Sequence, residues 1–128
     1  MQKKIVDVMR SFIVSVDLQT SVAQTEETLI CNNLSSLPVV DERRGDCFGI
    51  ISLKDIARFH AEKKNAKLAK AWEICSYRPV EVGPDATVLD AAALMVSHEV
   101  HHLVVNEGKQ IKGFVSSLDL LKCFLDQA

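Results

Sequence analysis

Two aspartates, Asp55 and Asp119, each stand three places after a serine, Ser52 and Ser116, at the close of an apolar run. A serine there can accept from the backbone N–H of the third helical residue, and an acid at that position can return the bond. Such a reciprocal cap contributes about 1 kcal/mol. The same place suits an anion, because a helix N-terminus offers free N–H groups and the positive end of the dipole. The two roles do not exclude each other. His98, His101 and His102 make an H-x-x-H-H run that invites a metal reading. Metal sites need three or four converging ligands, themselves held by further hydrogen bonds, and this run falls where a helix pattern gives way to a strand. No metal is expected there. Catalysis has little support: no G-x-S-x-G, P-loop, H-E-x-x-H or dinucleotide fingerprint is present. Cys31, Cys47, Cys75 and Cys123 show no C-x-x-C pairing and no nucleophile setting, so free thiols in a reducing cytoplasm are expected, and no enzyme.

The elements that must position these residues occur twice. Gly49-Ile50-Ile51-Ser52-Leu53-Lys54-Asp55 is echoed by Gly113-Phe114-Val115-Ser116-Ser117-Leu118-Asp119. Each follows a strand-like run and opens an amphipathic helix pattern. In the first copy, a strand is expected over Phe12–Val16 and a turn over 17–20. A capping box Ser21-x-x-Gln24 then opens a helix with Val22, Leu29 and Ile30 inward. A hairpin of 37–40 and 47–51 leads to a helix with Ile56, Ala57 and Phe59 on its apolar side. The stretch from His60 to Lys70, rich in Ala, Lys and Glu, reads as a solvated helical connector. The second copy repeats the order with Val80–Val82, the box Thr87-x-x-Asp90, a helix carrying Val88, Ala91, Ala92 and Met95, and a hairpin of 103–105 and 111–115. Its last helix carries Leu120, Leu121 and Phe124. Register holds at a spacing of 66 from Val14/Val80 to Leu37/Leu103 and falls to 64 at Gly49/Gly113, so the second hairpin loop is two residues shorter.

At 128 residues, 48% hydrophobic and 25% charged, the chain has the size and composition of one soluble globular domain. A single repeat of roughly fifty residues buries too little surface to be comfortable alone, so one shared core is expected. A formal charge of −2 without a basic block removes the field that favours nucleic acid or anionic membrane. No apolar stretch is long enough to span a bilayer, and Met1-Gln2-Lys3-Lys4 leads into no signal-like run.

The two Gly-apolar-apolar-Ser-x-x-Asp segments, with Ser36-Leu37-Pro38-Val39-Val40-Asp41 and Val100-His101-His102-Leu103-Val104-Val105, make the chain resemble a tandem pair of CBS domains, also called a Bateman module. The resemblance spans about residues 8 to 125. It implies an α/β fold of two β-α-β-β-α repeats about a pseudo-twofold axis, each a small three-stranded sheet covered by helices. The division expected is 1–59 for the first repeat with its lead-in, 60–73 for the helical connector and 74–128 for the second repeat.

The resemblance also implies a regulatory module that binds an adenosine nucleotide (AMP, ADP or ATP) or another adenosyl ligand between the repeats, with no required cofactor. Asp55 and Asp119 would then accept from ribose hydroxyls, with Ser52 and Ser116 beside them. The base would lie on the first strand of the other repeat, pairing Asp119 with Met9, Ile13 and Val14, and Asp55 with Cys75, Pro79 and Val80. Each of these is also an ordinary core residue type. His101 and His102 stand where some nucleotide-sensing relatives have His-Arg, which makes them, with Ser117 and Arg78, candidates for phosphate; a plain polar surface is the alternative. Losing the arginine removes a permanent bidentate donor. The partners implied are an adenosine-containing small molecule, a second copy in a homodimer, and a separate regulated enzyme or transporter. The competing reading is a dimerisation or interaction module with empty, vestigial clefts.

Overall fold

The computed structural model describes residues 3–127, so the outer bounds of the expected division, at 1 and 128, lie outside the described residues. After a single 3-10 turn at Ile5–Asp7 come β1 (Val16–Asp17), α1 (Val22–Cys31), β2 (Ser36–Asp41), β3 (Asp46–Ser52), α2 (Leu53–Ala61), α3 (Ala71–Ile74) and β4 (Ser76–Tyr77). The second half continues with β5 (Glu81–Val82), α4 (Val88–His98), β6 (His102–Glu107), β7 (Gln110–Ser116) and α5 (Ser117–Asp126). Two compact units result. One is contiguous, Val14–Pro79; the other is split, joining Met1–Ile13 to Val80–Ala128.

In the contiguous unit the sheet order is β1-β2-β3-β4. β1 runs parallel to β2, and β2-β3 and β3-β4 are antiparallel. The sheet thus has four strands where three were expected, because Ser76–Tyr77 adds an edge against Gly49 and Ile50. The split unit has the order β5-β6-β7, again parallel then antiparallel. Arg10 takes the edge place there as an isolated bridge to Phe114. Its N–H donates to the Phe114 carbonyl at 2.9 Å, and the Phe114 N–H donates back at 3.0 Å.

The edge of each unit therefore comes from the segment that precedes the other repeat. The same device anchors both segments. Ile5 N–H donates to the Ala86 carbonyl and Val88 N–H to the Lys3 carbonyl; in the contiguous unit Ala71 N–H donates to Thr20 and Val22 N–H to Ala69. These pairs lie 66 apart in sequence, so the repeat includes the lead-ins. Instead of one shared core, two clusters form, each inside one unit. Ile5, fully buried, enters the cluster of Val88, Met95, Leu103 and Val115, while Ala71 enters that of Val22, Leu37, Ile51 and Phe59. Burying an isoleucine contributes on the order of 2 kcal/mol, enough to hold a lead-in on a small unit.

Several local expectations need correction. The first strand begins at Val16, with Phe12 90% exposed. α1 buries Val22, Thr25 and Leu29 while Ile30 is exposed, because Ile30 lies 100° round from the inward stripe. Ser21 accepts from Gln24 N–H, but among the described residues the glutamine gives no return bond. The stretch from His60 to Lys70 is helical only through Ala61. Lys63 turns at φ 58°, Asn65 Oδ1 accepts from Lys67 N–H, and the Ala66 and Ala69 carbonyls accept from Ala23 and Val22 at the start of α1. Helix propensity differs by only tenths of a kcal/mol per residue, and capping another helix outweighs it. In α5 the inward stripe is Leu120 and Cys123, matching Ile56 and Phe59 of α2 at a spacing of 64. Leu121 and Phe124 face out, and so does Ala57.

Candidate functional site

In the split unit, β7 ends at Ser116 and α5 starts one residue later, so the chain delivers Asp119 to the first turn of the helix. Ser116 Oγ accepts from Asp119 N–H at 3.1 Å, and Asp119 Oδ2 accepts from Ser116 N–H at 2.9 Å. This box fixes the carboxylate, whose side chain is only 11% exposed, and leaves Oδ1 outside the cap. Arg10 Nε lies 3.7 Å from that oxygen. Met9 crosses Gly113 so closely that a Cβ there would strike the methionine sulfur. His102 pairs with Ser116 in the ladder, and its ring stacks on Phe114 at 5.1 Å and 11°. Ser117 is half-buried, and its N–H donates to the His101 carbonyl at 2.8 Å.

Burial holds the His102 pKa below the ordinary histidine range, and His101 adds to this; Asp119 opposes it, and Arg10 again lowers it. His102 is therefore a neutral stacking ring at pH 7 rather than a cation for phosphate. Its folded pKa lies below the unfolded one, so as pH falls the unfolded chain takes the proton first. This contribution to stability is complete above about pH 6.5 and is lost as pH falls below it. Between pH 7.5 and 5.5 the melting temperature of the wild type should fall more than that of His102→Gln. Parallel curves would show that the ring carries no such linkage.

The contiguous unit repeats the box with different neighbours. Ser52 Oγ accepts from Asp55 N–H at 3.2 Å, and Asp55 Oδ2 accepts from Ser52 N–H at 2.9 Å and from the Ser52 hydroxyl at 3.0 Å. Oδ1 faces Arg58 Nη1 at 3.5 Å, a cation on the same helix. Cys75 packs at Gly49, where a Cβ would lie 3.0 Å from its sulfur. Burial first, then the Asp55 charge, push the thiol up to about 11, so it is an uncharged wall and not a thiolate. Pro79 is half-buried. Arg78, exposed, adopts φ 61° and sets its guanidinium over the Tyr77 ring at 5.7 Å, a cation–π placement that gives it a structural role.

The structure thus gathers Asp119, Ser116, Met9 and His102 in one unit, and Asp55, Ser52 and Cys75 in the other. Ile13 belongs to the split unit; Val14 packs against the core of the contiguous one, and Val80 against that of the split one, where its carbonyl accepts from Val104 N–H. His101 is exposed. Among the described residues no three His, Cys, Asp or Glu side chains gather as metal ligands, His98, His101 and His102 included. Arg10 and Arg58 were missed from sequence. Arg58 could have been found, since i+3 from a boxed aspartate is a helix-neighbour position. Arg10 stands directly after Met9, which the resemblance already assigned to Asp119.

A family model described as the CBS domain matches residues 5–62 and 71–126. Protein YlbB of Bacillus subtilis is 31% identical over 88 residues, 69% of this chain and 60% of that protein. The chain spans between 32% and 60% of the length of the curated relatives it matches. Among solved structures, the CBS domain pair of protein MJ0100, in complex with 5′-methylthioadenosine and S-adenosyl-L-methionine, has a TM-score of 0.90 at 24% identity, covering 100% of both chains. CBSX2 in complex with AMP has a TM-score of 0.86 at 21% identity, covering 98% of both. At these identities the likeness establishes the shared fold, and the ligands are those proteins' own.

Proposed function

Since the chain belongs to the CBS-domain family as a tandem pair of repeats, we propose that it is a regulatory module that senses an adenosine nucleotide or adenosyl ligand without turning it over. One observation carries this reading. Each unit holds a mostly buried aspartate whose Oδ2 is spent on the helix cap while Oδ1 faces only a partly exposed arginine side chain, which a sugar hydroxyl could replace. Ser52 and Ser116 hold that aim. Met9 and Cys75 offer uncharged walls for a base, with Ile13, Val14, Pro79 and Val80 as further apolar residues on the lead-ins. Relatives of the same fold are complexed with AMP or with S-adenosyl-L-methionine and 5′-methylthioadenosine, which supports the ligand class. The regulated partner is proposed to be a separate enzyme or transporter. No described helix is long and apolar enough to cross a membrane, and the four cysteines form no disulfide, as suits a reducing cytoplasm. The test is a thermal-shift panel of AMP, ADP, ATP, NAD, S-adenosylmethionine and 5′-methylthioadenosine. Stabilisation by at least one is expected through mass action; indifference to all would overturn the reading in favour of an interaction module with empty sites.

The interaction role also has an observation of its own, and it is compatible with sensing. On α5, Leu118, Leu121, Phe124 and Leu125 are 54%, 56%, 42% and 73% exposed. The corresponding residues of α2 are Lys54, Ala57, His60 and Ala61, a face with two small and two polar side chains, and Ile56 and Phe59 are buried. At these positions the large exposed apolar side chains belong to the second repeat alone. Exposed apolar patches of this kind mark interfaces, and a second copy of the chain is the occupant proposed. Light scattering at tens of micromolar should give a dimer mass, and Leu121→Glu with Phe124→Glu should shift it to monomer. A monomeric wild type would defeat the proposal.

A further inference from the structure

Arg10 occupies the one carboxylate oxygen that the helix cap leaves to Asp119. Oδ2 is bound to Ser116 N–H at 2.9 Å, and Arg10 Nε lies 3.7 Å from Oδ1. The main chain of Arg10 is locked to Phe114 by two hydrogen bonds of 2.9 and 3.0 Å, so the residue cannot drift away. Its side chain, in contrast, is 52% exposed and free to turn, while that of Asp119 is 11% exposed. The repeat gives no counterpart: Ser76 holds the equivalent edge position, pairing with Ile50 as Arg10 does with Phe114. The cation beside Asp55 is Arg58, on the same helix as the aspartate and not on the edge strand.

A sugar hydroxyl that donates to Asp119 Oδ1 must replace the guanidinium there. The displaced charge then needs a new partner, and a phosphate on the ligand supplies one, in the bidentate geometry that guanidinium favours. An uncharged nucleoside supplies none, and a sulfonium adds a like charge. We propose that Arg10 is the specificity-determining residue of the Asp119 site, swinging from the carboxylate to the ligand and selecting phosphorylated adenosine over uncharged or cationic adenosyl compounds. This rests on the adenosyl-binding reading above and adds to it the charge class of the ligand.

The test is a titration with AMP, adenosine and S-adenosylmethionine, followed through the NMR signals of the His102 ring and the Phe114 amide, which belong to the unit that holds Asp119. In the wild type AMP should bind at least about tenfold tighter than adenosine or S-adenosylmethionine. Arg10→Gln should weaken AMP by about tenfold while adenosine binds as well as before or better, since it no longer competes with an ion pair. Arg10→Lys should keep part of the preference, and raising the salt concentration should erode it in the wild type and in Arg10→Lys but not in Arg10→Gln. An AMP-to-adenosine ratio unchanged by Arg10→Gln would overturn the proposal and leave the adenosyl site standing. Signals that respond to none of the three ligands in either protein would remove the site and the proposal together.

Discussion

Gly49→Ala should be among the most damaging single-methyl additions in the chain, lowering stability by about 3 kcal/mol, at the upper end of overpacking costs. The added Cβ would collide with the Ser76 carbonyl oxygen and lie 3.1 Å from the Ser76 carbonyl carbon. Neither atom can yield cheaply, because Gly49 and Ile50 pair with Tyr77 and Ser76 in the ladder. Relief would require β4 to leave β3, and with it the Cys75 wall of the Asp55 site. The entropy that alanine removes from the unfolded chain returns only about 0.4–1 kcal/mol. The matching change, Gly113→Ala, meets Met9 side-chain atoms first and the Arg10 carbonyl oxygen only at 3.2 Å. A methionine can re-rotate, so about 1 kcal/mol is expected there. Melting curves should therefore separate the two variants by several degrees. Equal losses, or a neutral Gly49→Ala, would mean that the β4 edge is not seated on Gly49 as described.

That pair of glycines shows what the sequence could and could not disclose. The repeat, the hairpins and three complete capping boxes were readable because each is set by neighbours in sequence: a serine or threonine, an acid three places on, a loop of given length. Gly45 and Gly108 close the two hairpins at positive φ, and the second loop is shorter, as the drop in spacing required. The glycine of each motif was visible as a pattern but its reason was not. It exists because the edge segment that precedes the other repeat crosses it, and no local rule says which edge so short a segment will join. The expected membership of the lead-ins rested on proximity in sequence, and hydrogen bonds such as Ile5 to Ala86 cross that boundary; the single shared core rested on the small size of one repeat.

The site was half legible for a related reason. Both aspartates are announced by their caps, and a cap is a short-range device. The residues facing them come from distant chain segments, and only the resemblance suggested Met9 and Cys75. Arg10 went unnoticed because the duplication maps it onto Ser76, so a search for repeated residues passes over it. The α5 face was legible only as a single apolar stripe. Composition does not divide Leu120, Leu121 and Phe124 between core and surface, whereas the register with α2 assigns the inward places to Leu120 and Cys123.

Asp119→Ala should abolish most of the stabilisation that an adenosyl ligand gives, while Asp55→Ala should leave much of it. Both substitutions remove the return half of a capping box and cost about 1 kcal/mol in the free protein. Comparing each variant with and without ligand cancels that shared loss. The difference between the sites lies in their surroundings. Asp119 has Met9, a polarizable thioether, on one side, the stacked Phe114 and neutral His102 nearby, and Arg10 as a movable cation. The half-buried Ser117 adds a hydroxyl where the first repeat has the exposed Leu53. Asp55 faces an uncharged thiol, and Pro79 on that side lacks a backbone donor. Arg58 shares a helix with Asp55, so it follows the carboxylate and offers less reach toward a distal phosphate. With AMP a hundredfold above its dissociation constant, the stabilisation at stake is about 2.7 kcal/mol, well within the resolution of a melting curve. Asp119→Asn serves as the control for the cap: its amide oxygen can still accept from Ser116 N–H, but the Nδ2 then left in place of Oδ1 cannot accept from a ribose hydroxyl. It should lose the ligand effect nearly as fully as alanine while melting closer to the wild type. Equal losses from the Asp119 and Asp55 variants would mean two equivalent sites, and a greater loss from Asp55→Ala would move the principal site to the contiguous unit.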